Sequence, residues 1–251
     1  MTNQPNDAAP AAPEHHVGES HNMGGAYQEK LNRLRAAVLG ANDGIVSVAA
    51  TVVGVAGATA STSAIGVAAA AAVVGGAISM ALGEYVSVSS QVDSQEALIA
   101  KERAELRDMP EHELDELTEM LEERGISPET ARKAAIEMTE KNALKTHLHF
   151  ELGIDDEDIP SPWSAAFASA GAFLVGALLP TLLILLFPES IRIPVTFAGV
   201  LVALAITGTL GAKWGGSPHY GKAAVRVVVG GALALAVTFG VGSLLGATGV
   251  V

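Results

Sequence analysis

The chain has 251 residues, 49% of them hydrophobic, a formal net charge of −12 and no cysteine. The missing thiols exclude disulfides and thiolate metal sites. The acidic balance excludes the basic surface that nucleic acid requires and favours cations as partners.

The charge is concentrated. Residues 89–160 hold 20 acids against 8 bases, which accounts for the whole net charge, while 36–83 and 164–251 are nearly free of charged side chains. Long apolar stretches of that kind are membrane-span candidates. Many of the 27 glycines lie inside them, where small residues let membrane helices pack closely.

In chain order, residues 1–26 are rich in Pro, Ala, Gly and His and have no hydrophobic period, which reads as a disordered tail. The opening MTNQPNDAAPAAPEHHVGES lacks the apolar core of a cleavable signal. His15, His16 and His21 lie in this tail; loose metal binding is the sharper reading of them and a solvated tail the plainer one. The region 27–88 supplies two spans, Leu34–Ala58 and Ala64–Val88, joined by a Ser/Thr turn at 59–63. Each is about 25 residues, enough for a ~30 Å hydrocarbon core with some tilt.

Near Ser89 the composition turns hydrophilic without a Gly or Pro break, so the second helix is expected to continue to about Arg107. Residues 89–160 then form an acidic helical domain. Pro110 starts a helix over 111–123, and Gly125 ends it. Ser127 caps a third helix, with Pro128 in its first turn, running to about Leu152 before Gly153. An acidic loop, 153–162, includes the run DDED at 155–158.

The region 161–251 supplies three more spans, at about 163–187, 193–213 and 222–246. Pro180 is expected to kink the third span. Pro188 and Pro194 bracket a short turn, and Trp163 and Trp214 suit interfacial positions. The expected fold is all-α: a polytopic membrane protein with five transmembrane helices and a three-helix cytosolic domain between spans 2 and 3. Of the 15 Lys and Arg, only Arg192 falls on the side opposite that domain. Basic residues mark the cytosolic side. The N-terminus and the acidic domain are therefore expected in the cytosol and the C-terminus across the membrane. The Ala/Gly/Val-rich spans favour a bacterial inner membrane.

Some residues are anomalous for a lipid environment. Asp43 sits about nine residues into the first span, where a charge costs roughly 3 kcal/mol and faces a cavity or a partner. Met80 and Glu84 share one face of the second span. Counted from the cytosolic ends, Asp43 and Met80 fall at one depth. A carboxylate beside a thioether suits a transition metal of intermediate softness, although a lone Met more commonly packs. Glu84 lies nearer the interface and suits a gate or a proton site.

In the acidic domain Glu102 and Glu105 are three apart, Glu113 and Glu116 repeat that spacing, and His147 and Glu151 are four apart, with Glu137, Met138 and Glu140 two turns earlier. Such pairs place donors on one helix face. Three helices folded together can converge them on Fe²⁺, Mn²⁺ or Zn²⁺. The competing reading is a solvated face, and Asp115, Glu119, Glu122 and Glu123 are assigned to it. The Glu-x-x-His pair of di-iron oxidases is absent, so an enzyme is not expected.

Four stretches together resemble the vacuolar iron transporter family, including its prokaryotic members: LGANDGIVS at 39–47, ISMALGEYVSVSSQ at 78–91, HFELGID at 149–155 and PSPWSAAFASAGAFLVGALLP at 160–180. The resemblance implies a homodimer of five-span subunits in a lipid bilayer, exchanging divalent metal for protons and clearing it from the cytosol. It matches Asp43 and Met80 to the family's membrane path. It matches Glu102, Glu105, Glu113, Glu116 and Glu151 to the cytosolic carboxylates. This chain departs from the family's eukaryotic pattern in two places. A Met pair is replaced by His147 and Leu148, which shifts preference toward harder ions, and acids of the first span are replaced by Asn32 and Ala36. The expected function is proton-coupled export of Fe²⁺ or Mn²⁺, with no prosthetic group. The alternative is a membrane-anchored metal buffer that does not transport.

Overall fold

The computed structural model describes residues 24–154, 159–216 and 218–249. The tail histidines and the DDED run lie outside the described residues. Among the described residues the chain is all-helical: α1 Gly24–Ala58, α2 Thr62–Asp108, α3 Pro110–Glu123, α4 Pro128–Phe150, α5 Pro162–Leu186, α6 Glu189–Trp214 and α7 Tyr220–Ala247. Five of them, α1, α2, α5, α6 and α7, are long and apolar enough to cross a membrane. The protein is a polytopic membrane protein.

The membrane bundle is organised around α1, which packs against α5, α7, α2 and α6. Glycine explains how closely. A Cβ at Gly40 or Gly44 would overlap the backbone of Ser169 or Phe173 on α5, and one at Gly242 would overlap the backbone of Gly54 on α1. Close backbone approach replaces the hydrophobic driving force that lipid does not supply. Val48, Val52, Phe173, Ile184, Leu204 and Leu235 are fully buried in the resulting core.

The turn between α1 and α2 is short. Ser61 caps α2 by accepting from the Ala64 amide at 3.2 Å. Buried Arg192 of α6 reaches across to donate to the Ala60 carbonyl at 2.9 Å and to the Thr62 hydroxyl at 3.3 Å. The expected turn over 188–194 is not formed. Pro188 is the N-cap of α6, which starts at Glu189 and contains Pro194. The missing proline amide costs one bond, to the carbonyl of Ser190, near the helix end where bonding is already incomplete. Pro180 is buried inside α5, which continues past it to Leu186.

α2 is the element that positions the rest. Its 47 residues give a length of about 70 Å, against a hydrocarbon core of about 30 Å. The last two to three turns carry α3 and α4, which share a small core of Leu117, Leu121, Ala131 and Ala135. α4 is broken at Asn142, whose φ of −170° and ψ of 90° are extended. The Asn142 side chain accepts from the Lys145 amide at 3.0 Å. It therefore caps a second short helix that redirects 143–150 back toward α2.

Candidate metal centre

The redirection at Asn142 has a direct consequence. It brings His147 and Glu151 against Glu102 of the α2 extension and Glu113 of α3. One ligand atom from each of the four lies within 4.8 Å of the others. His147 Nδ1 is 3.1 Å from Glu102 Oε1, 3.5 Å from Glu113 Oε2 and 3.9 Å from Glu151 Oε2. Glu102, Glu113 and His147 are buried, while the Glu151 side chain keeps 23% exposure and leaves one side open.

These atoms converge rather than pair. Glu102 Oε1, Glu151 Oε2 and both His147 nitrogens are buried and make no aligned hydrogen bond. Buried polar atoms in native proteins are normally satisfied, and a shared cation can satisfy Glu102 Oε1, Glu151 Oε2 and His147 Nδ1 together, the nitrogen that faces the carboxylates. Three carboxylates and one imidazole form an oxygen-rich set for a divalent first-row ion.

The electrostatics follow from burial. Glu102 is pushed up to about 8, first by burial, then by the neighbouring carboxylate of Glu151 and the charges of Glu113 and Glu105. Glu113 is raised by burial and by Glu116, Glu105 and Glu151. His147 is lowered by burial, which outweighs the pull of Glu151 and Glu116. At neutral pH the imidazole is thus unprotonated and available, whereas Glu102 must release a proton before it can ligate.

The remaining acids separate from this group. Glu105 pairs with Lys101 at 2.9 Å. Glu116 acts on Glu113 through its charge but is not among the four converging donors. Glu137 and Glu140 are exposed, and Met138 packs against the small α3–α4 core. Asp115 pairs with Arg132. Glu119, Glu122 and Glu123 are exposed.

Within the membrane bundle, Glu84 is buried and accepts from Arg35 of α1 at 3.4 Å. Met80 packs against the main core. Asp43 is partly buried, and its backbone carbonyl accepts from the Ser47 hydroxyl at 2.6 Å. Two contacts tie α1 and α2 together around these residues. Arg35 meets Glu84, while Gly44 and Gly76 both meet Phe173. The Arg35–Glu84 pair and the Asn142 cap had no sequence signal strong enough to find them. The pair joins residues 49 apart. The cap lies within KNALK, whose composition is that of an ordinary helix interior.

Fold and site together define a polytopic helical membrane protein with a carboxylate–imidazole cluster on the extension of a membrane helix. The chain belongs to the VIT family, whose model matches residues 34–243. It is 44% identical over 212 residues to a vacuolar iron transporter of Acanthamoeba castellanii, covering 84% of this chain and 78% of the relative. It is 36% identical over 224 residues to vacuolar iron transporter homolog 4 of Arabidopsis thaliana, covering 89% of each. VIT-like transporter 1b of Glycine max is 34% identical over 223 residues, covering 88% of this chain and 80% of the relative.

Proposed function

We propose that this protein exports divalent metal, Fe²⁺ foremost and Mn²⁺ or Zn²⁺ by the same chemistry, from the cytosol in exchange for protons. One observation carries the reading: four convergent donors stand on the helix that also carries Met80 and Glu84 into the membrane, or pack against it. Glu102 and Glu84 are 18 residues apart on α2, about 27 Å along its axis. The cluster concentrates metal at the cytosolic mouth. The ion then passes Glu84 and Met80 to Asp43, where protonation of a carboxylate releases it on the far side.

The donor set supports Fe²⁺ and Mn²⁺ over softer ions, because imidazole stands where a thioether would favour them. The iron transport named for the relatives supports iron first. The Lys/Arg distribution supports a cytosolic N-terminus and acidic domain with the C-terminus opposite. A homodimer is supported by α2, whose outward face carries the small residues Ala70, Ala71 and Gly75, suited to close helix contact.

The test is metal flux by purified protein in liposomes, comparing Fe²⁺, Mn²⁺ and Zn²⁺ at several pH gradients. Flux with opposite proton movement is expected. Binding without flux would identify a membrane-anchored buffer instead.

A further inference from the structure

On the side of α1 away from α5, the bundle is incomplete. A cleft of about 420 Å³ opens between α1, α6 and α7, walled by Arg35, Leu39, Gly208, Gly211, Ala212 and Val227. It runs about 10 Å down α1, from Arg35 to Asn42, starting at the end where exposed Trp214 closes α6. The cleft therefore lies within one leaflet, on the side of the acidic domain, with its mouth at the interface. Asn42 stands at its inner end.

The rim has a charge opposite to that of the protein as a whole. Arg35 lines the mouth, and Lys213, in the last turn of α6, and Lys222 and Arg226, in the first two turns of α7, are exposed at the same end of the bundle, within reach of a headgroup seated there. No Asp or Glu occurs after Glu189, and the acid that reaches Arg35 is Glu84. An apolar slot under a basic rim matches a lipid with an anionic headgroup, whose chains fill the slot and whose phosphate meets the cations. A second copy fits poorly. A two-fold contact would set this patch against itself and oppose its own Arg35 and Lys213.

We propose that this cleft binds one anionic glycerophospholipid from the leaflet facing the acidic domain. The inference is independent of which ion is carried and of whether any is, so its failure and that of the transport reading are distinguishable.

The full chain, purified in neutral detergent, is titrated with phosphatidylglycerol or phosphatidylcholine of identical acyl chains. Thermal unfolding and lipid adducts in native mass spectrometry are read. Phosphatidylglycerol is expected to raise the unfolding midpoint by about 4 °C more than phosphatidylcholine and to persist as a single adduct. In the Lys213→Gln, Lys222→Gln, Arg226→Gln triple variant that difference should vanish. Ala212→Leu, which fills the slot, should abolish the adduct; its own midpoint in detergent alone shows that it is folded. Equal shifts by the two lipids, or an undiminished preference in the triple variant, overturn the proposal. The chain has no cysteine, so Val227→Cys, on the α7 wall of the cleft, supplies a single thiol. Efficient cross-linking between two copies through that α7 thiol, which stands off the Asp43 face of α1, in phosphatidylglycerol vesicles would assign the cleft to a second copy and also overturn the proposal.

Discussion

The acidic cluster on the α2 extension and the polar residues inside the membrane are built on opposite plans. The cluster draws its four donors from one chain: three helices bring Glu102, Glu113, His147 and Glu151 to one point. The membrane residues are spread along two helices, and Glu84 is already held by Arg35. A complete donor set binds; an incomplete one lets go. A carrier needs both, because an ion held equally well along its whole route does not move. Asp43 and Met80 gain further donors from a second subunit in the proposed dimer.

That contrast can be broken or sharpened by experiment, beginning with the largest effect. Asp43→Ala is expected to abolish metal-driven proton movement in vesicles while leaving metal binding at the cluster intact. Unchanged transport would remove Asp43 from the path. Glu102→Gln should weaken binding at the cluster by about 100-fold, since even groups that merely orient metal ligands cost 10–100-fold. Calorimetric titration of the full chain measures it, and an unchanged affinity would reduce Glu102 to a buried structural acid.

The pH dependence comes next, at about tenfold per unit. Glu102 sits at about 8 in the folded protein, above its unfolded value, so the folded state holds the extra proton between the two. Metal must displace that proton, so affinity should rise about tenfold per pH unit from 6 to 8 and level off above. The metal-free protein shows the reverse. The proton-linked stability of Glu102 is fully present below the unfolded value and falls as pH rises toward 8. Unfolding midpoints with and without Mn²⁺ across this range should therefore diverge; parallel curves would contradict the assignment.

A smaller effect is expected at Asn142. Removing its cap costs about 1 kcal/mol, close to a fivefold loss of metal affinity if the cap only orients His147 and Glu151. Asn142→Ala should show that loss, and Asn142→Asp should restore it because aspartate caps equally well. The smallest effect is expected at Glu105, which touches Lys101 rather than the cluster. Glu105→Gln should change affinity by no more than about threefold, through lost charge at partial exposure. A loss as large as that of Glu102→Gln would place Glu105 in the ion's own shell.

Much of this was legible along the chain because it is set by local composition. Apolar runs of about 25 residues cannot be anything but spans or deeply buried helices. The absence of a Gly or Pro near Ser89 let α2 be followed out of the membrane as one helix. Carboxylates at three-residue spacing marked the faces from which ligands come. Periodicity could not choose among them. Glu102 and Glu105 share a face, yet Glu102 points into the helix junction and Glu105 toward Lys101. That choice depends on where α3 and α4 land.

The sequence by itself therefore determined the all-helical five-span plan, the acidic domain between spans 2 and 3, and the set of residues able to hold a cation. Those follow from hydrophobic length, helix-stopping residues and charge, which act over a few turns. The tertiary structure alone decided which four donors meet, that Glu84 is taken by Arg35, and that α4 bends at Asn142. Each of those depends on the register between helices distant in sequence, set by glycine contacts and packing rather than by local pattern.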